Sequence, residues 1–403
     1  MKAVRCITVA RVEGARADTA ANSMHGDSFA TDSHGPTGPL GAGTTATAHD
    51  FGGLCAAQAF DSAGRLFTVC GPLQGFTLLA IDPTTMTTLA SLPLPTRPST
   101  LQAILAGDLQ LIFSDTSGGA YFYLDEQERV VLVDAHQDLR VIALQDPTGA
   151  PRLIDVARYP LAGSLVERDC FSFPDNLHPA GRCDAVTSVM PDWSGRYWFV
   201  SRDGVVGTVE PLSGTVRTIR LAGEEIGYSV DVVVMHRTVA HQGRRTICTV
   251  PVFGRGASAA ENSLMTHGDA VIVQNTYGYQ NPLSPAPGAS VPGGVTRIDI
   301  DRADGTCHVA WTSPERVPSS AMKLSRGAGL LYGYSKVPDD FGRDLWYWTA
   351  IDVRTGATVY SVLAGTGPLA NNNWGVISIG PDGAGYLGTI NGLLRVRDGA
   401  IGS

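Results

Sequence analysis

The feature that most restricts the fold of this chain is a recurring hairpin: an apolar run, a turn built on Asp or Gly, and a second apolar run. The first copy, CAAQAFDSAGRLFTVC, runs from Cys55 to Cys70. Five further copies follow it: GAYFYLDEQERVVLV from Gly119, DAVTSVMPDWSGRYWFV from Asp184, ENSLMTHGDAVIVQ from Glu261, AMKLSRGAGLLYGY from Ala321 and WGVISIGPDGAGYLGT from Trp374. Almost nothing between them has a helical period, so the pattern predicts an all-β chain built from similar small sheets.

Most of these hairpins are followed by a second pair of apolar runs around a turn with Gly, Pro or Thr. Examples are TLLAIDPTTMTTLASL from Thr77 and WTAIDVRTGATVYSV from Trp348. Two hairpins make a four-stranded unit that cannot bury its own hydrophobic face, so neighbouring units must stack. Because a ring closes such an array without long free edges, the repeats predict a β-propeller. We expect six four-stranded blades, and seven blades is the alternative.

Two places depart from the regular pattern. Around residues 224–250 only one pair of strand-like runs is present, and we interpret it as an irregular strand pair. The last unit offers GLLRVRD from Gly392 as its third strand and then ends, so its fourth strand must come from elsewhere. The run AVRCITVARV, from Ala3 to Val12, is predicted to close the ring. The chain then divides into an N-terminal strand and extended leader, 1–50, and a single propeller domain, 51–403.

The charge of the chain restricts its partners. The 403 residues carry a net charge of −8, the pI is near 5.6, and no basic run is present. These values argue against binding to nucleic acid or to an anionic membrane. No apolar stretch approaches the roughly 18 residues needed to span a bilayer, so no membrane insertion is expected. A small molecule or a protein remains as the partner.

The cysteines favour an oxidising compartment. A tight turn after Phe60 sets Phe60 opposite Arg65, and the same register sets Cys55 opposite Cys70, within reach of a disulfide. The other predicted disulfides join Cys170 to Cys183 and Cys248 to Cys307, and Cys6 is left without a partner cysteine. Buried, reduced thiols are the alternative. We favour oxidation and therefore an extracellular or periplasmic location, although the N-terminal apolar run is too short for a secretory signal.

Several segments resemble those of a group of uncharacterised bacterial exported propeller proteins. They are SMHGDSFATDSHGPTGPLG, FDSAGRLFTVC, SVMPDWSGRYWFVSRDGVVGTVEP, CTVPVFGRGASAAENSL, NTYGYQNP, AIDVRTG and LAGTG. The likeness covers most of the chain from Ser23 to Asp398, and it implies a propeller and export but no established reaction. By architecture alone, the chain is also similar to calcium-dependent lactonase and strictosidine-synthase-like propellers.

Ligand sites in propellers lie around the central channel, where the innermost strands begin. The residues predicted to bind a ligand there are Tyr121, Lys323, Asn275, Tyr277 and Tyr279. A hard cation such as Ca²⁺ prefers carboxylate and amide oxygens, and the predicted metal ligands are Glu261, Asn262 and Asn373. For each residue taken singly, the alternative is a structural role in a turn or in packing.

The leader segment MHGDSFATDSH holds a dense polar set, namely His25, Asp27, Asp32 and His34. Imidazole and carboxylate groups this close together can bind a transition metal or supply a base. The spacing matches no strong metal motif, however, and we expect a solvated, flexible segment. Asp184 or His25 is the candidate catalytic base of a metal-assisted reaction.

Two hypotheses of function follow, and the sequence does not decide whether the chain is an enzyme. The first is an exported propeller that binds a small ligand or a protein partner at its central channel. The second is a metal-assisted, Ca²⁺-type hydrolase, lactonase or lyase acting in the pore. They differ in whether Glu261 and the asparagines at 371–373 converge around an ion.

Overall fold

The computed structural model describes residues 25, 31–72, 75–96, 99–100, 121–166, 169–173, 176–182, 184–192, 194–220, 248–259, 262, 264–279, 286–372 and 374–399. Within these ranges the regular structure is made of strands and two 3₁₀ helices, Ala162–Ser164 and Pro368–Ala370. Six sheets each contain four antiparallel strands, which confirms the predicted six-bladed β-propeller.

Blades one to three take their strands consecutively from the chain, and each is ordered from the channel outward. Blade one consists of Leu54–Phe60, Leu66–Gly71, Thr77–Asp82 and Thr87–Pro93; blade two of Tyr123–Leu124, Val130–Val133, Asp138–Gln145 and Arg152–Pro160; and blade three of Val186–Pro191, Tyr197–Ser201, Val205–Val209 and Val216–Arg220. A separate three-stranded sheet is formed by Ser99–Thr100, Asp169–Phe173 and Asn176–Arg182.

Blades four to six follow the same plan. Blade four consists of Met265–His267, Ala270–Gln274, Val295–Asp301 and Thr306–Ser313; blade five of Lys323–Ser325, Leu330–Pro338, Asp344–Asp352 and Thr358–Thr366; and blade six of Ile377–Ile379, Gly385–Thr389, Gly392–Arg397 and Thr45–His49. The innermost strands of blades four, five, six, one and two contact one another in that order. They therefore surround a central channel.

An N-terminal strand closes the ring, as expected, but it is a different strand from the predicted one. Thr45–His49 pairs antiparallel with Gly392–Arg397 and becomes the outermost strand of blade six. Ala3 to Val12 lies outside the described residues, and the edge that it was predicted to cover is already occupied. The predicted irregular pair at 224–250 also lies mostly outside, and its described end, from Cys248, forms no strand.

The hydrophobic core lies between the blades. Among the described residues, separate apolar clusters join blade one to two, two to three, four to five, five to six and six to one. In one of them Tyr332 and Trp348 of blade five pack against Ile377 and Leu387 of blade six, all fully buried. Full burial of such a side chain contributes about 2 kcal/mol, so the stacking that the repeats require is also the main stabilising contact.

The turn of the first hairpin has three residues, and this corrects the predicted register near it. The N–H of Asp61 donates to the carbonyl of Arg65, and Phe60 lies opposite Leu66 rather than opposite Arg65. Gly64 has a φ of 82°, the left-handed conformation that closes a three-residue turn. The carboxylate of Asp61 also accepts hydrogen bonds from the backbone N–H and Nε of Arg65.

A bulge restores the predicted pairing farther along the same hairpin. The register shifts by one residue between Cys55 and Gln58, so that Cys55 lies opposite Cys70. Their sulfur atoms form a disulfide, which confirms this pairing. The prediction reached the correct pair because the extra residue in the turn and the bulge compensate each other.

A second disulfide joins Cys248 to Cys307, as proposed from the sequence. It attaches the segment that leads into blade four to the outermost strand of that blade. Cys6 and Cys183 lie outside the described residues, so a Cys170–Cys183 bond stays a prediction. In the part of the chain that the structure describes, no helix has the length and hydrophobicity needed to cross a membrane.

Candidate functional site

Residues 31–34 of the leader lie on the inner side of the propeller, contrary to the expectation of a solvated, flexible segment. Its strand Ser33–His34, here called the leader strand, pairs parallel with Lys323–Ser325, the innermost strand of blade five. The N–H of Leu324 donates to the carbonyl of Asp32 at 2.9 Å, and the N–H of Arg326 donates to that of His34 at 2.8 Å. The leader strand therefore adds a fifth strand to blade five, on its channel side.

The turn before the leader strand brings two separated polar residues together. The N–H of Asp32 donates to the carbonyl of His25 at 3.1 Å, and the N–H of Thr266 in blade four donates to the carbonyl of Thr31. Asp32 has a φ of 49°, a left-handed conformation that Asp tolerates better than most residues. This local geometry, rather than any periodic pattern, directs the leader into the channel.

Asp32 and Lys323 form an ion pair in which both side chains are buried. The Nδ1 atom of His25 lies 3.0 Å from each carboxylate oxygen of Asp32. Taking a carboxylate and an ammonium group out of water is costly, and their mutual attraction offsets that cost only at close range. Lys323, predicted as a ligand-binding residue, thus pairs with the leader.

His34 is the second residue of the leader strand and follows Asp32 by two positions. It is buried, and among the described residues neither of its ring nitrogens has a hydrogen-bond partner. Burial, together with the charges of Arg326 and His25, lowers the pKa of His34 to about 3. His34 is therefore a neutral imidazole at neutral pH, with one N–H donor and one bare nitrogen acceptor.

The channel has two ends, named here by the innermost strands. At the start end these strands begin, and at the turn end they turn into the second strand of each blade. The leader strand runs toward the turn end, because it is parallel to the innermost strand of blade five. It leaves there between blades five and six, where Tyr332 and Tyr360 both donate hydrogen bonds to the carbonyl of Pro39 at 2.7 Å.

A polar cluster lies at the start end of the channel. The hydroxyl of Ser319 donates to Asn372 Oδ1 at 2.6 Å, and the hydroxyl of Tyr279 is 3.3 Å from Asn371 Oδ1. The side-chain amide of Asn262 donates to the carbonyl of Ser320 at 3.0 Å. The structure thus brings together the polar residues that precede the innermost strands of blades four, five and six.

The predicted metal site includes residues that the structure does not describe. Glu261 and Asn373 lie outside the described residues, as does Asp27, and only Asn262 of the predicted ligand set can be placed. Among the described residues, no group of three or more His, Cys, Asp and Glu side chains is arranged to hold a metal ion. The Ca²⁺ site stays a prediction.

Asp184 occupies a fully buried position at the beginning of blade three. Its carboxylate accepts hydrogen bonds from the N–H of Val166, the hydroxyl of Ser201 and the N–H of Asp203, at 2.8 to 2.9 Å. These bonds hold two loops against the first strand of the blade. A catalytic role for Asp184 stays a prediction, and the contacts that the structure gives it are structural.

The other predicted ligand residues are separated from one another. The amide group of Asn275 makes four hydrogen bonds with backbone groups, and it organises the loop over blade four. Tyr277 is 41% exposed, whereas Tyr279 is buried with its ring edge against Trp374. Tyr121 is half-buried and packs against the cluster between blades one and two.

Sequence reasoning noted the leader residues but misjudged their environment. Nothing in a segment rich in Gly, Ser and Thr indicates burial, because the partner strand begins at Lys323, far along the chain. Two local signals were present in the sequence: a lysine between the apolar residues Met322 and Leu324, and a cluster of His and Asp able to neutralise it.

Comparison with known proteins supplies no family. No family model matches this chain. An uncharacterized protein of Archaeoglobus fulgidus is 26% identical over 172 residues, which cover 38% of this chain and 32% of that protein. The match therefore spans about a third of the relative's length.

Solved structures with a similar fold share little sequence with this chain. Streptogramin B lyase has a TM-score of 0.36 at 10% identity, covering 88% of this chain and 97% of its own. A luciferin-regenerating enzyme has a TM-score of 0.38 at 10% identity, with 89% and 96% covered. The β-propeller domain of Myceliophteria thermophila Cps50 (Swd1) has 0.36 at 9% identity, with 88% and 99% covered. Their likeness to this chain concerns the fold alone.

Proposed function

We propose that this protein is an exported β-propeller that binds a small polar ligand in its central channel, at a site walled by the leader strand. The observation that carries the proposal is His34, a buried imidazole without a hydrogen-bond partner among the described residues. A buried polar group left in this state costs about 1–3 kcal/mol. A ligand that satisfies its donor and acceptor removes this cost, and the cost is then regained as affinity.

Export is supported by the two disulfides, Cys55–Cys70 and Cys248–Cys307. Disulfides persist in oxidising compartments and are rare in the cytosol. The resemblance of the chain to bacterial exported propellers points the same way. Mass spectrometry after alkylation, with and without a reductant, tests this part: the account requires at least four cysteines to be protected before reduction.

The ligand-binding part is tested by differential scanning fluorimetry with a library of small polar metabolites. The proteins compared are the wild type, His34→Leu and, as a matched control, His308→Leu, in which the lost imidazole lies exposed on the outermost strand of blade four. Compounds that bind the site raise the Tm of the wild type and of His308→Leu but not that of His34→Leu. The proposal is contradicted if every stabilising compound raises the Tm of His34→Leu as much as it raises the Tm of the wild type.

A hydrolase or lactonase acting in the channel is a second candidate, and one observation favours it. A carboxylate against Nδ1 of an imidazole, as Asp32 is against His25, fixes the tautomer and orientation of a general base. This candidate is tested by assaying a panel of esters and lactones with the wild type and His25→Gln, with Ca²⁺ and with a chelator. Equal rates in the two proteins contradict it.

A further inference from the structure

We infer that the start end of blade five is a docking surface for a partner protein, which receives the ring of Phe341 in an apolar pocket with a basic rim. This surface is formed by the second, third and outermost strands of the blade and not by the innermost strand, so the inference is independent of the proposed channel site. It is carried by a well-ordered turn, at residues 339–343, that holds a large aromatic side chain in solvent.

The turn 339–343 joins the second and third strands of blade five, and because the second strand runs back from the turn end, it lies at the start end. Oδ1 of Asp339 accepts the N–H of Phe341 at 2.9 Å and that of Arg343 at 2.8 Å, and Oδ2 accepts Nε of Arg343 at 2.6 Å. Phe341 is 85% exposed, and Cζ of Arg343 lies 5.6 Å from the centroid of its ring. The carboxylate thus fixes the shape of a turn that presents the ring to solvent.

The same turn occurs in blades two and three, at 125–129 and 192–196. In each, the first Asp accepts the N–H groups of the third and fifth residues and Nε of the Arg that ends the turn. The third residue is Gln127 in blade two and Ser194 in blade three, so the turn does not require an aromatic side chain at the position of Phe341. The fold itself gives no reason for a phenylalanine there, whereas burial against a partner protein does.

Further exposed apolar side chains lie around the turn. Val337 is 38% exposed and lies opposite Leu345, which lies opposite Thr366 on the outermost strand. Leu363 on that strand is 49% exposed, and Leu369, in the 3₁₀ helix that follows it, is 59% exposed. Exposed apolar side chains grouped in this way mark protein interaction sites, and an aromatic side chain on a preorganised turn is typical of the residues that dominate binding.

The charges of this surface indicate the chemistry of the partner. Asp339 and Arg343 neutralise each other through their ion pair. Asp340 is exposed, and no salt bridge between described residues includes it, so the turn places one net negative charge beside Phe341. The whole chain carries a net charge of −8. Like charges repel, so a second copy of this chain is disfavoured, and a pocket with Lys or Arg on its rim is complementary.

The first experiment uses the full-length protein, immobilised, as bait for the exported proteins of its source cells. The baits are the wild type, Phe341→Ser and, as a matched control, Leu212→Ser, which removes a 99% exposed apolar side chain from a turn of blade three. We expect a protein, identified by mass spectrometry, that the wild type and Leu212→Ser capture and Phe341→Ser does not. Because Ser194 holds the equivalent position in blade three, Phe341→Ser should keep the Tm of the wild type.

The second experiment measures the Kd of the identified partner, after its purification, by isothermal titration calorimetry. Phe341→Ser should weaken binding about thirtyfold or more, the effect of removing a hot-spot side chain, and Leu212→Ser should leave the Kd unchanged. Asp340→Asn should weaken binding about two- to fivefold at low salt and less at high salt, because one exposed charge is lost.

The inference is overturned if no captured protein depends on Phe341, or if the purified partner binds Phe341→Ser and the wild type equally well. It is also overturned if the captured protein is a second copy of this chain. A lowered Tm of Phe341→Ser would mean that the ring packs within the protein, which contradicts the inference as well. A Kd that Asp340→Asn leaves unchanged or improves overturns the basic rim.

Discussion

The carboxylate of Asp32 and the ammonium group of Lys323 form a buried ion pair at the centre of the propeller. One partner comes from the leader and the other from the innermost strand of blade five. The pair therefore joins the leader to a blade whose strands lie near the end of the sequence.

Removing one partner of this pair should destabilise the protein strongly. Lys323→Met leaves the carboxylate of Asp32 buried without its cation, and such a loss costs about 3–5 kcal/mol. The double variant Asp32→Asn, Lys323→Met removes both charges of the pair, and Asn tolerates the left-handed backbone of residue 32. Urea denaturation should therefore give a smaller loss for the double variant than for Lys323→Met alone. Additive losses would show that the two groups do not interact.

Replacing His34 should stabilise the folded protein. His34→Leu substitutes an apolar group for a buried imidazole that lacks a partner among the described residues, and we expect a gain of about 1 kcal/mol near pH 7. Chemical denaturation of the two proteins measures this gain. The same variant is expected to lose ligand binding, so that a raised stability excludes misfolding as the cause. A loss of stability would mean that the imidazole has a structural partner.

The pH dependence of stability should change in the same variant. The pKa of His34 is lowered from 6.5 to about 3 in the folded protein, so the unfolded chain binds a proton between these values and the folded chain does not. This difference in proton binding does not affect the free energy of unfolding above a pH of about 6.5, and it lowers that free energy progressively as the pH falls toward 3. The free energy of unfolding of His34→Leu should therefore decrease less on acidification than that of the wild type. Parallel curves would contradict this.

The exit of the leader depends on the absence of a side chain at residue 38. A Cβ atom on Gly38 would lie 2.6 Å from Cε2 of Tyr332, too close for any real contact. Because Tyr332 also donates to the carbonyl of Pro39, its ring cannot move away without breaking that bond. We expect Gly38→Ala to cost about 1–3 kcal/mol in chemical denaturation. Gly163→Ala, which meets nothing within 4 Å, is the matched control and should have little effect.

The two disulfides should contribute unequally. Cys248 and Cys307 are separated by 59 residues and Cys55 and Cys70 by 15. Under the chain-entropy description, the longer loop stabilises by about 4 kcal/mol and the shorter by about 3 kcal/mol. Replacing Cys248 and Cys307 by Ala should therefore lower the free energy of unfolding more than replacing Cys55 and Cys70. The reverse order would indicate that packing inside blade one outweighs the effect of loop length.

The blades could be predicted from the sequence because each hairpin is specified by residues that are close together in the chain. A turn such as Asp61 to Arg65, flanked by apolar runs, specifies a hairpin regardless of the rest of the chain, and six such hairpins require stacking. The pairing of Cys55 with Cys70 followed from the same register, with the turn and the bulge cancelling each other's shift.

The channel could not be predicted in this way, because its contacts are long-range. The burial of Asp32 and His34 depends on the pairing of the leader strand with Leu324 and Ser325. No periodic pattern in the leader indicates this pairing. The closing strand was misplaced for a related reason. The strand Thr45–His49 is half-polar and exposed, so it carries a weaker apolar signal than the run from Ala3 to Val12.

The central claim is that the leader strand occupies the channel as a partner of blade five. Hydrogen exchange of the amides of Leu324 and Arg326, measured by NMR in the full-length protein, tests it most directly. Because both amides donate to carbonyls of the leader, we predict that they exchange as slowly as amides between the inner strands of blade five. Exchange at the rate of an unpaired edge strand would contradict the account.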